Sequence, residues 1–178
     1  MLRFKSLIGE WIVCLKIYLR LCLFMSSPSS LPAGLACIPL TLLAYLAIGL
    51  LWLAEEQGVP VVVTQVVLEI SILYAFTFII LKFKNKIERL SQTLSALFGS
   101  SLIISMVSIP ILSVLPEAPA EGQINGLTLQ VNLLLLFWNL AVISLIFKRA
   151  FEISTIAAGF IAFNFFLLFE LILINVFK

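Results

Sequence analysis

Five apolar runs, each at least 21 residues long, are separated by short polar breaks: 33–54, 61–81, 90–115, 127–147 and 153–177. At 1.5 Å of rise per residue, about 20 such residues cross a hydrocarbon core of about 30 Å. The pattern predicts an all-α polytopic membrane bundle of five transmembrane helices, with residues 26–178 forming the membrane domain. Pro60 is suited to open the second span, and Pro39, early in the first, is expected to kink it or sit within its first turns. The third span carries Ser95, Gly99, Ser101, Ser105 and Ser108. Small residues of this kind let helix backbones approach closely, which predicts a central place for that span. Ser154, Ala158 and Ala162 form a similar ridge on the fifth.

Residues 1–25 follow a different pattern. Glu10, Lys16 and Arg20 interrupt the apolar run, and no small-residue cleavage site follows, so neither a span nor a signal peptide is predicted. On a helix, Lys5, Gly9, Lys16 and Arg20 share one stripe, while Phe4, Leu7, Trp11, Tyr18 and Cys22 gather opposite. This is the pattern of an amphipathic helix lying in the membrane interface, basic face to anionic head groups and aromatic face in the acyl region. Packing beneath the bundle as a cytoplasmic helix is the alternative. Ser26 to Pro32, with four serines and two prolines, breaks the chain before the first span.

The charges supply an orientation. Of 11 basic residues, Arg3, Lys5, Lys16, Arg20, Lys82, Lys84, Lys86, Arg89, Lys148 and Arg149 fall on one side of a five-span chain, leaving Lys178 on the other. The connections 55–60 and 116–126 carry Glu55, Glu56, Glu117 and Glu121 and no cation. Short basic loops stay in the cytoplasm, so the N-terminus is expected inside and the C-terminus outside. Lys5, Lys16, Arg20, Lys82, Lys84, Lys86 and Arg89 are then candidate contacts for lipid head groups.

Composition agrees, at 62% hydrophobic and 11% charged, with a mean hydropathy of +1.20. His and Asp are absent, which removes most metal and acid–base constellations; no cofactor, metal site or enzymatic activity is predicted. Four cations beside two spans are explained by topology and lipid, so no nucleic-acid partner is expected. Cys14, Cys22 and Cys37 fall near the predicted cytoplasmic side, where a disulfide framework is not expected. They read as small apolar packers, with reversible acylation of Cys14 or Cys22 as the alternative.

Candidate chemistry lies in the spans. Glu69, nine residues past Pro60 and so about 14 Å down its helix, and Glu170 are ionisable groups at membrane depth. Gln65, one turn above Glu69, is placed to donate a hydrogen bond to it. Asn139 and Asn164 lie near mid-depth on the fourth and fifth spans, where hydrogen bonding between the two helices would account for them. Glu69 with Gln65, Glu170, Asn139 and Asn164 is therefore either a proton or cation site or interhelical glue.

Ser27-Pro28-Ser29-Ser30-Leu31-Pro32 before the first span, the basic bridge 82–89, and Leu90-Ser91-Gln92-Thr93-Leu94-Ser95-Ala96-Leu97-Phe98-Gly99 followed by Ile109-Pro110 resemble the Yip family of Ypt/Rab-interacting five-span proteins and its bacterial-type members. The resemblance covers roughly residues 26–178 and implies a non-enzymatic scaffold or accessory subunit, in contact with other integral membrane proteins or a larger membrane complex. Eukaryotic members of that family carry a longer cytosolic N-terminal region that engages prenylated GTPases. So short a version implies a bacterial cytoplasmic (inner) membrane. The second function reading is a small transporter or channel using Glu69.

Overall fold

The computed structural model describes residues 2–32, 37–115 and 125–176, without side chains for 2–8 and 53–57. The side chain of Lys5, those of Glu55 and Glu56, the acidic stretch 116–124 and Lys178 lie outside the described residues. Six helices follow one another: α1 Leu2–Cys22, α2 Cys37–Gln57, α3 Val59–Phe83, α4 Leu90–Ser113, α5 Gly126–Phe151 and α6 Thr155–Val176. Among the described residues, four helical stretches are long and apolar enough to cross a membrane: Val59–Phe83, Ile87–Ser113, Gly126–Phe151 and Thr155–Val176. The described apolar part of α2, Cys37–Trp52, is shorter. Pro39 occupies the first turn of α2, where its missing N–H has no intrahelical acceptor to lose.

Both basic hairpins sit at one end of the bundle. Glu152, at the turn after α5, pairs with Lys86 and, at 2.8 Å, with Arg89 from the turn before α4. Asn85 and Glu152 end α3 and α5 in the left-handed region, each at φ 53°. Lys86 N–H then bonds back to the Leu81 carbonyl at 2.9 Å, and Ile153 N–H to that of Lys148 at 3.2 Å, closing the last turns without glycine. Asn tolerates this conformation; Glu152 is held in it by its two cations. α5 runs past the predicted end at 147 to Phe151, because Lys148 and Arg149 in a last helical turn complement the helix dipole.

α1 packs on the bundle through one face. Cys14, Tyr18, Leu21 and Cys22 are buried, while Lys16 and Arg20 are exposed. The two-faced pattern is present, but the Tyr18–Cys22 face lies against α4 instead of acyl chains. A Cβ on Gly99 of α4 would fall inside the Tyr18 ring, so the ring rests directly on helix backbone. Its hydroxyl stands 2.7 Å from Ser95 Oγ and 3.3 Å from Thr41 Oγ1. Thr41 already donates to the Cys37 carbonyl at 2.8 Å, so Tyr18 donates to Thr41 and accepts from Ser95.

A disulfide between Cys14 and Cys37 ties α1 to the start of α2. This corrects the expectation of three free packers: the breaker between the helices doubles the chain back, so residues 23 apart meet. Acylation is closed to both candidate cysteines. Cys14 is bonded, and Cys22 is buried, its thiol pushed up to about 12 by desolvation. The breaker is also held down, Trp138 Nε1 donating to the Cys22 carbonyl at 3.0 Å, Gln92 to that of Leu31 at 2.8 Å and Arg149 to that of Ser26.

The central place predicted for the third span is the observed one. α4 packs against α1, α2, α3 and α5, and every residue from Thr93 to Ser100 is buried. α5 and α6 form the other close pair. Phe76, Phe147, Phe151 and Phe165 make an aromatic cluster where α3, α5 and α6 meet, with ring centroids 4.9–6.4 Å apart.

Two outcomes are expected. Gly99→Ala should lower the unfolding free energy in bicelles by about 2 kcal/mol through overpacking, a loss that falls below about 0.5 kcal/mol in a Tyr18→Ala background. Hydrogen bonds from Lys86 and then Arg89 hold the Glu152 carboxyl below its ordinary 4.5. The pairs therefore add stability above that value and lose it as pH falls through the lowered pKa. Thermal midpoints of the wild type and Glu152→Gln should differ at neutral pH and converge on acidification.

Candidate functional site

In lipid, a polar side chain must find its partner within the protein. Thr64, Ser71, Asn164 and Asn175 solve this locally, each bonding to the carbonyl four residues earlier in its own helix at 2.7–2.8 Å. Asn132 does the same to Thr128 at 2.9 Å. Asn164 is exposed and self-satisfied, which corrects the expected cross-helix bond to Asn139 and removes it from the site.

Glu69 has its partner on another helix. The Tyr45 hydroxyl of α2 reaches both carboxylate oxygens, at 2.8 Å from Oε2 and 3.1 Å from Oε1. Tyr45 lies eight residues along α2 from Cys37, about 12 Å, far from the ends where membrane tyrosines usually sit. That mid-helix position was the signal in the sequence, and Tyr45 was missed. Gln65, the expected donor, instead lines the larger of two adjoining cavities.

That larger cavity, about 440 Å³, lies among α2, α3, α4, α5 and α6. Its walls include Trp52, Gln65, Ser105, Ser108 and Asn132. With Phe169 and Leu173 they occupy the end halves of α2, α4 and α6 and the opening halves of α3 and α5, so the cavity fills the half of the bundle away from the basic hairpins. A second cavity of about 270 Å³ carries Ser101, Phe165 and Glu170 on its walls. Phe165 belongs to the aromatic cluster, which therefore floors this inner chamber.

Tyr45, Glu69, Asn139 and Phe169 border both cavities. The carboxylate therefore lies between an outer and an inner chamber. Asn139 Oδ1 is buried there without a hydrogen-bond donor. Trp11 Nε1 and Thr77 Oγ1 are also unpartnered, but their residues line neither cavity. Of the five residues singled out in the spans, four thus share one site: Glu69, Gln65 and Asn139 on the outer chamber, and Glu69, Asn139 and Glu170 on the inner.

Among the described residues, no Lys or Arg lines either chamber and no three metal-type ligands group together. The arrangement can accept protons or hydrogen bonds and attract positive charge. Asn139→Leu should cost less than about 0.5 kcal/mol, or stabilise, because it removes a buried acceptor that has no donor. Tyr45→Phe should cost about 1–2 kcal/mol by stripping the carboxyl of its donor. Denaturant titration in bicelles checks both.

No protein-family model, no curated protein and no solved structure matches the chain, so its function rests on the chemistry of its own residues.

Proposed function

We propose that this is a small multi-pass transporter or channel in which Glu69 is the intramembrane proton or cation site. The observation that carries the reading is the carboxylate bordering two adjacent cavities, with a tyrosine donor and, among the described residues, no cationic side chain on their walls. A buried carboxylate used as glue packs against its partners; this one faces space on two sides. Ionisable groups at that depth are costly, and they are found where a polar path needs them.

The membrane domain is proposed to have five spans, α2 serving as the first, in a bacterial cytoplasmic membrane with the basic end inward. Lys16, Arg20, Lys82 and Lys84 are exposed at the surface and are proposed to meet anionic head groups, with Lys86 and Arg89 engaged by Glu152. No catalytic role and no cofactor are proposed.

The Yip-type resemblance points to a scaffold or accessory subunit working through lateral contacts. That reading needs small-residue ridges turned to lipid. Gly99 is covered by Tyr18, and Ala158 and Ala162 are buried on a helix that packs mainly on α5. Both ridges are occupied within the chain, which favours the cavity over the outer surface as the seat of function.

The test is ion flux in proteoliposomes under an imposed potential, followed with entrapped proton and sodium dyes. Wild-type protein should conduct one of these ions above empty vesicles, and Glu69→Gln should reduce that flux by about tenfold or more. Equal flux from the two proteins, or none above empty vesicles, overturns the reading.

A further inference from the structure

We infer that the chambers around Glu69 receive a small amphiphilic ammonium ion, a protonated primary amine on a short apolar body, with its N–H groups directed at the Glu69 carboxylate. The inference rests on the reading of Glu69 as a cation site and names the class of cation.

The first ground is a surplus of acceptors. Tyr45 has one proton to share between two carboxylate oxygens, which together offer about four acceptor sites. An unmade hydrogen bond at a buried acceptor is costly, and a guest bearing several N–H groups supplies what the carboxylate lacks. A proton moving alone fills one of those sites and leaves the others.

The second ground is the rest of the wall, which is mainly apolar. Ile48, Val66, Ile104 and Leu136 line the outer chamber beside the rings of Trp52 and Phe169. Calcium takes six to eight oxygens and magnesium keeps much of its water, and such a wall replaces neither. An organic cation matches it on both counts, its charge meeting the carboxylate and its body burying against aliphatic and aromatic surface. The outer chamber's 440 Å³ falls within the range of about 300–1,000 Å³ that holds small organic ligands. Charge fixes the sign of the guest: among the described residues, the carboxyls lining the two chambers are those of Glu69 and Glu170, and no basic side chain lines them to hold an anion.

The experiment is equilibrium binding of radiolabelled phenethylammonium to the full chain in nanodiscs, with 2-phenylethanol, phenylacetate, phenethyltrimethylammonium and sodium chloride as competitors. Saturable binding is expected, displaced by neither the alcohol nor phenylacetate. Glu69→Gln should weaken it by about tenfold or more. The quaternary analogue, which has no N–H for the carboxylate, should bind about three- to tenfold more weakly than the primary amine. That comparison keeps the test decisive should Glu69→Gln not fold. Absence of saturable binding, phenylacetate binding as tightly as the amine, or the same affinity in Glu69→Gln overturns the inference. If Glu69-dependent sodium or proton flux persists while phenethylammonium neither binds nor competes, the amine is wrong and the cation site stands; loss of both removes both.

Discussion

The bundle depends on an absence: Gly99 has no side chain, and the ring of Tyr18 occupies the place where one would be. Between apolar helices in lipid there is little solvent-driven attraction, so close backbone approach and shared hydrogen bonds decide which surfaces meet. Here both coincide on one residue. The Tyr18 ring settles on α4 while its hydroxyl joins Ser95 of α4 to Thr41 of α2, and the Cys14–Cys37 bond fastens α1 to α2 one turn earlier. α1 is thereby tied to α2 and α4 as a structural strut.

The strut divides α4 into two parts with different duties. Its first half, from Thr93 to Ile104, is almost wholly enclosed, whereas Met106, Val107 and Ile111 beyond it are exposed. Where α1 does not reach, Ser105 and Ser108 face the outer chamber. The rigid end of the molecule, with its ion pairs, aromatic cluster and clamped breaker, therefore holds up an end whose helices enclose space. Glu69 lies at the boundary between the two.

Hydrophobic run lengths made most helices legible, because a run long enough to cross lipid leaves few other options. α3, α4 and α6 begin and end within a few residues of the predicted limits. The small residues of α4 also marked it as central before any contact was known. The partner of α1 was not legible: an apolar stripe says that something must cover it, and lipid and protein look alike to that stripe. Nor does cysteine spacing show that a chain doubles back to bring Cys14 against Cys37. At the site, Glu69, Gln65, Asn139 and Glu170 stood out as polar groups in apolar runs. Their convergence, the role of Tyr45 and the exclusion of Asn164 depend on helix rotation, which a nearly uniform apolar sequence encodes weakly.

The two partners of the Tyr18 hydroxyl lie 23 and 77 residues further along the chain. A ribosome delivers them in that order. The nearer is within a short loop of Tyr18, and the farther must wait until the next two long helices have been made, since distant contacts cost more chain entropy and form later. The first helix is therefore born with its aromatic face unroofed and is sheltered when α4 arrives, which makes the interval between those two moments the time at which this protein is most exposed to misassembly.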